Sequence, residues 1–196
     1  MRLSIRSPHL PAVRRFLKVL QERPLSYSPV GITRAASPEG FDHDFSRVKL
    51  GRGNTVWNAA RTALDEWRVF PESWTKVYAP AAPDIGVTVA VGIRLFGLWW
   101  TNACRVVYTI DTPDRYGWAY GTLSDHFERG EECFWIERDR ADNVWYCIRA
   151  MSRPNRWWVW LAYPFARRQQ ARFREESMRQ MQTLTRTAKA VQYEMG

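Results

Sequence analysis

Tyr116-Gly-Trp-Ala-Tyr-Gly-Thr-Leu-Ser-Asp-His126, Gly130-Glu-Glu-Cys-Phe-Trp-Ile-Glu137 and Val144-Trp-Tyr-Cys-Ile-Arg-Ala-Met-Ser-Arg-Pro154 are three successive segments of one pattern. Aromatic and β-branched residues alternate with polar ones, and Gly, Pro, Asp or Asn bounds each segment. That is the signature of strands joined by turns. Outward from this core, similar alternation predicts strands over Phe45–Leu50, Trp74–Tyr78, Ile85–Arg94 and Cys104–Ile110, and a short extended piece over Tyr27–Thr33. Gly97–Asn102 reads as a turn carrying Trp99-Trp100, and Asp111-Thr-Pro-Asp114 and Asp139-Arg-Ala-Asp-Asn143 read as turns as well.

Two breaks in the strand pattern are helical. Val56, Ala60, Ala63, Leu64 and Trp67 recur at helical spacing after Gly51-Arg-Gly-Asn-Thr55, where Asn54 or Thr55 is the expected cap. The Gly-rich turn lacks the third glycine of a dinucleotide fingerprint and any Gly-Lys-Ser/Thr, so it is a tight entry into the helix and not a phosphate loop. After Pro154 a long helix is predicted from Trp157 to about Lys189, with Ala166, Phe173, Ser177, Met181 and Leu184 as its apolar stripe. Pro164 is expected to kink it or to separate a Trp-rich entry from the regular part.

Short turns between strands imply an antiparallel sheet, and a helix on its concave face implies an α+β two-layer domain. The expected architecture is a curved antiparallel sheet of about six to seven strands wrapped around a long C-terminal helix, a helix grip, with a cavity between them. An extra amphipathic helix from Pro8 to Gln21, capped by Ser7-Pro8, precedes it. The expected division is residues 1–24 for this helix, 25–190 for a single domain and 191–196 for a tail.

Composition bounds the function. A chain of 196 residues with 45% hydrophobic residues and 11 Trp supports a large core without staples. The net charge of +9 favours acidic partners, but no nucleic-acid motif accompanies the arginines of the last helix, so nucleic acid is disfavoured. Cys104, Cys133 and Cys147 form no C-x-x-C pair and read as buried thiols in a reducing, cytoplasmic setting. His9, His43 and His126 are scattered, with no zinc spacing, and no metal or cofactor is expected. The first helix interleaves arginines with its apolar residues and is not a signal sequence. Ile85–Trp100 is too short to span a bilayer.

One set of residues looks familiar. Arg47-x-x-Leu50-Gly51-x-Gly53, Trp67, Trp74, Gly121-Thr-Leu, His126, Gly130-Glu-Glu-x-Phe134, Val144-Trp-Tyr-x-Ile148, Ser152-Arg-Pro154 and Tyr163-Pro164 with Gln169 or Gln170 and Phe173 together resemble an uncharacterised bacterial and plant family known as domain of unknown function nineteen-ninety. The resemblance covers about Tyr27 to Met181. It implies similarity to the birch-allergen (Bet v 1) and START-like lipid-binding superfamily. A plant member described as a chloroplast outer-envelope protein with pore properties adds a membrane reading. No strands of membrane-barrel type support the pore here.

The leading functional expectation is a non-enzymatic binding module for an apolar or amphipathic small molecule. Val89, Val91, Val106, Tyr108, Trp118, Tyr120, Phe134, Tyr146 and Ile148 are the expected walls, and Arg105, Tyr120, His126 and Glu132 the anchors. Glu132 shares a strand face with Phe134 and Ile136, so it is expected inward, with Arg105, Arg149 or Arg153 as its partner. The enzymatic alternative uses His126 and Glu132, beside Asp125 and Glu131, as proton-transfer groups. A third expectation is peripheral attachment to an anionic membrane through the basic first helix, Trp99-Trp100 and Trp157 to Trp160.

Overall fold

The computed structural model describes residues 2–7, 9–34, 39–155 and 162–194, with backbone alone at residues 10 and 189–194. Its elements are β1 (Arg2–Ser4), α1 (Leu10–Leu20), β2 (Asp42–Arg52), α2 (Asn54–Asp65), β3 (Thr75–Tyr78), β4 (Thr88–Leu95), β5 (Leu98–Asp111), β6 (Arg115–Thr122), β7 (Glu128–Arg138), β8 (Asn143–Pro154) and α3 (Tyr163–Glu194). All pairings are antiparallel, in the order β2-β8-β7-β6-β5-β4-β3, with β1 added to β5. The helix-grip expectation holds, with eight strands in place of six or seven.

Period-two alternation decides which side chains the helices cover. On the concave face, Val89, Val106, Trp118, Phe134, Ile136, Tyr146 and Ile148 are buried with Val56, Ala60 and Leu64 of α2 and Met181 of α3. The stripe predicted for the long helix faces the sheet: Phe173, Met181 and Leu184 pack on this core, and the Tyr146 hydroxyl meets Ser177 Oγ at 2.9 Å. Gln180 Nε2 donates to the carbonyls of Arg68 and Phe70 at 2.5 and 2.9 Å, tying α3 to the chain leaving α2.

Local chemistry corrects several expectations. Pro164 is the second residue of α3, where its missing N–H has no helical partner to lose, so it starts the helix without kinking it. The segment Trp157–Trp160 lies outside the described residues. Neither Asn54 nor Thr55 caps α2: the N-cap is Gly53 at φ 89, a conformation open to glycine. At the start of α1 the N-cap is His9, and Ser7 Oγ instead lies 3.3 Å from the Tyr78 hydroxyl; Pro8 is not described. Gly97–Asn102 is not a turn. Phe96 (φ 53) and Gly97 (φ 77) alone turn the chain, and β5 begins at Leu98. Two left-handed central residues match the twist of a two-residue hairpin. Tyr27–Thr33 forms no strand and lies irregularly on the convex face.

Trp67, the last residue of the predicted helical spacing, is buried in the core. It follows α2 at φ 59, with its N–H on the Leu64 carbonyl at 3.2 Å, a left-handed helix end. A bulky residue there is strained. Its indole compensates by packing 4.5 Å from the Trp118 ring and donating to the Ala81 carbonyl at 2.9 Å.

Candidate functional site

The core does not fill the whole space under α3. Toward the helix N-terminus a cavity of about 300 Å³ remains between the strands and Ala162–Arg174. Phe70, Phe173 and Tyr120 close its inner end, with Phe70 and Phe173 centroids 5.6 Å apart. Val91, Ile93 and Leu95 of β4 and Trp100, Asn102 and Cys104 of β5 line one side; Glu128, Glu132, Ala150 and Ser152 of β7 and β8 line another. At the mouth Phe96, from the β4–β5 turn, stacks on Phe165 of α3 at 5.1 Å.

The predicted site residues separate into three groups. Tyr120, His126 and Glu132 line the cavity. Trp118, Phe134 and Tyr146 face the same interior but are consumed by packing: Trp118 and Phe134 stack at 4.8 Å, and Tyr146 meets Ser177. Arg105 and Tyr108 lie on the other side of the sheet. Arg105 alternates with Cys104 and points outward, where its guanidinium donates to the carbonyls of Gln21 and Arg23 at 2.5 and 3.0 Å and closes the end of α1. Tyr108 was expected to share a wall with Val106. A register shift between Val106 and Tyr108 inserts an extra residue and turns Tyr108 outward, against Ala119 and Cys133.

Arg105→Ala therefore tests a clamp and not an anchor. It is expected to speed amide exchange in the last turn of α1 and to cost about 1–2 kcal/mol in denaturant unfolding. Uptake of an apolar dye by the cavity should be unchanged.

The partner foreseen for Glu132 is also corrected. Arg149 donates to the Thr33 carbonyl at 3.1 Å, and Arg153 lies over Phe41, both on the convex face. The group that meets Glu132 is the Tyr120 hydroxyl, which donates at 2.8 Å. Glu128, two inward positions earlier on β7, accepts from Gln170 Nε2 at 2.7 Å. Burial pushes both carboxyls up to about 7, and for Glu128 the charge of Glu132 adds to it. Arg174 borders the cavity, but Asp44 takes its guanidinium at 3.0 Å and that of Arg167 at 2.5 Å.

His126 is held differently. Its Nδ1 accepts the Glu128 N–H at 3.0 Å, which leaves Nε2 as the protonated nitrogen. Burial lowers its pKa to about 3. The imidazole at the cavity wall is thus neutral, with Nε2–H a donor and no free lone pair to act as a base. Glu131, grouped with it in the sequence, points the opposite way. It accepts from the Tyr27 hydroxyl at 2.6 Å, the Gly31 N–H at 2.8 Å, the Thr33 N–H at 3.0 Å and the Thr33 hydroxyl. Among the described residues no cluster of His, Cys, Asp and Glu has the form of a metal site.

Of the surfaces on which the membrane expectation rested, the apolar side of α1 and the Trp99-Trp100 pair are used inside the fold, Arg14, Arg15 and Lys18 of α1 stay exposed, and Trp157–Trp160 lie outside the described residues. Val13 and Leu20 of α1 are buried against the molecule, and Leu20 packs with Ala103 and Leu123. Trp99 is buried on the convex face, and Trp100 enters the cavity. No described helix is long and apolar enough to cross a membrane.

The family model described as a domain of unknown function (DUF1990) matches residues 26–180. A UPF0548 protein of Deinococcus radiodurans is 33% identical over 177 residues, covering 83% of this chain and 85% of its own length. Among solved structures, a protein from Arthrobacter aurescens superposes with a TM-score of 0.51 at 12% identity, over 76% of this chain and 92% of that one. The di-domain ARO/CYC StfQ of the steffimycin biosynthetic pathway gives 0.50 at 10% identity, over 76% of this chain and 52% of its own. These two likenesses speak to the fold alone, a curved antiparallel sheet gripping a long C-terminal helix.

Proposed function

Since the chain belongs to the DUF1990 family, whose description names no activity, we propose from the cavity itself that the protein is a binding module for an apolar or amphipathic small molecule. The observation that carries this reading is an apolar chamber of about 300 Å³ left open beside a densely packed aromatic core. Protein interiors close such space unless something is gained by keeping it, because lining atoms forgo dispersion contacts. The volume is at the lower end for small-molecule sites, and the few polar groups among apolar walls are the usual arrangement for orienting a ligand.

The test is occupancy and its loss. Native mass spectrometry of gently purified protein is expected to show a bound small molecule, or the emptied protein to take up an apolar fluorescent dye. Ala150→Phe places a ring in the chamber from β8. It should weaken dye binding at least about tenfold and change stability by no more than about 1–3 kcal/mol. Failure of wild type to bind either a native species or the dye overturns the reading.

A second reading, a proton-transfer enzyme, is favoured by one observation: Glu128 and Glu132 border the cavity with pKa values of about 7, suited to general acid–base work. In it Glu132 moves the proton and His126 donates a hydrogen bond through Nε2, in place of the shuttle expected from sequence. Recovery of one chemically unchanged ligand from both wild type and Glu132→Gln favours binding alone. Recovery of different species from the two favours chemistry.

A further inference from the structure

Four polar atoms on three side chains of the cavity wall have no hydrogen-bond partner among the described residues. They are both ends of the Asn102 amide, the Trp100 indole N–H and the Gln169 side-chain oxygen. Asn102 is the telling one. It is 1% exposed, and it sits on the inward face of β5 between Trp100 and Cys104, both of which also line the cavity. Its neighbours on β4 are apolar: Val91, with which it is paired, and Ile93. A buried primary amide with neither end satisfied costs free energy that a leucine of similar size would not. Whichever way the amide is turned, it brings one acceptor and a pair of donors to the cavity wall.

We propose, building on the binding-module reading, that Asn102 recognises the ligand's polar group, and that this group is uncharged and carries a donor and an acceptor side by side. A primary or cyclic amide has this form, as does a hydroxyl next to a carbonyl. Such a group exchanges two hydrogen bonds with the Asn102 amide at once, and the Trp100 N–H is left to serve a further acceptor. Charge selects against the obvious competitor. An ionised fatty carboxylate accepts only, so it leaves the Asn102 oxygen unpaired. It also enters a chamber that already holds Glu128 and Glu132, while Arg174 in its wall and Arg167 nearby are both engaged by Asp44. A neutral ester offers acceptors and no donor. The ligand class is thereby narrowed from any amphiphile to neutral amide-like molecules with an apolar body.

Three probes with one apolar chain separate these cases: dodecanamide, dodecanoate and methyl dodecanoate, titrated by calorimetry at pH 8. Wild type is expected to bind dodecanamide about tenfold or more tighter than methyl dodecanoate, and dodecanoate most weakly. In Asn102→Leu the amide's advantage should fall to within about twofold, with methyl dodecanoate bound as well as before or better. Equal affinities for amide and ester in wild type overturn the inference and leave the binding module standing. So does a preference that survives in Asn102→Leu, which would mean that Asn102 is only a hydrated core residue. No binding of any probe or of the apolar dye overturns the module itself. If Asn102→Leu does not fold, the wild-type ranking alone decides.

Discussion

Replacing Glu131 with alanine is expected to destabilise the protein by about 3–5 kcal/mol, more than any single change at the cavity. The carboxylate is 3% exposed on the convex face of β7. It satisfies four donors from one stretch of chain: the Tyr27 hydroxyl, the Gly31 and Thr33 N–H groups and the Thr33 hydroxyl. That stretch forms no strand, so these bonds replace the ladder it lacks. Alanine leaves the Tyr27 hydroxyl and the Gly31 and Thr33 N–H groups facing a void, the Thr33 hydroxyl alone keeping a partner in the Tyr108 hydroxyl at 2.6 Å, and a buried donor without an acceptor costs more than the bond itself contributed. Gly121 belongs to the same arrangement. A β-carbon there would lie 2.3 Å from the Tyr27 hydroxyl oxygen, so the glycine of the Gly121-Thr-Leu motif makes room for the Tyr27 ring over the sheet. Thermal unfolding of Glu131→Ala should begin about 10 °C lower. Dye uptake at temperatures where the variant is folded should persist, because the cavity is on the opposite face. A loss below about 1 kcal/mol in denaturant titration would show that the segment is held by its packing with Ile32 and Met151 and not by the carboxylate.

The layers of the fold were legible because burial imposes a period. Alternation along Glu132, Phe134 and Ile136, and along Tyr146 and Ile148, is forced on any strand with one face against a core, so the inward set could be read without coordinates. The same logic correctly placed Glu132 inward and correctly oriented Phe173, Met181 and Leu184. It failed where one residue breaks the period. At Val106–Tyr108 the bulge moves Tyr108 from wall to outer surface, and no composition signal marks a bulge that carries no glycine.

The polar groups of the site were less legible, for a different reason. Which cation meets Glu132 depends on contacts between strands and helix far apart in sequence, and charge attraction alone pointed to arginines. The structure assigns those arginines to backbone carbonyls and aromatic rings on the convex face and gives Glu132 a tyrosine hydroxyl. Asn102 was missed because the stretch Gly97–Asn102 reads as a turn, where an asparagine is unremarkable. Once Phe96 and Gly97 are seen to make the whole turn, Asn102 becomes a strand residue facing inward, and its amide becomes the unusual feature of the wall. The signal that would have found it is the left-handed preference of a two-residue hairpin loop, satisfied here by a glycine preceded by an exposed phenylalanine.

Substituting both Glu128 and Glu132 by glutamine should reshape the pH dependence of stability. Both carboxyls titrate near 7 when folded and near 4.5 when unfolded. Well below pH 4.5, folded and unfolded chains both hold these protons, and the acids cost nothing. Between 4.5 and 7 the unfolded chain releases protons that the folded chain keeps, so stability falls as pH rises, and above 7 the penalty is complete. His126 works in the other direction. Its folded value of about 3 lies below the ordinary 6.5, so the stability it contributes is present above 6.5 and is lost as pH falls toward 3. The wild-type profile is therefore a balance of opposed slopes and says little alone. Comparison with the double variant removes the histidine from both sides. Glutamine oxygens still accept from the Tyr120 hydroxyl and Gln170 Nε2, so near pH 4.5 the two proteins should be about equally stable. By pH 8 the variant should lead by about 3–7 kcal/mol, the larger figure if the two carboxyls titrate independently and the smaller if much of each shift comes from the other's charge. Urea unfolding at four or five pH values measures this directly. Parallel curves from pH 4.5 to 8 would mean that water reaches both carboxylates and that the chamber is not the dry space on which ligand selection by charge depends.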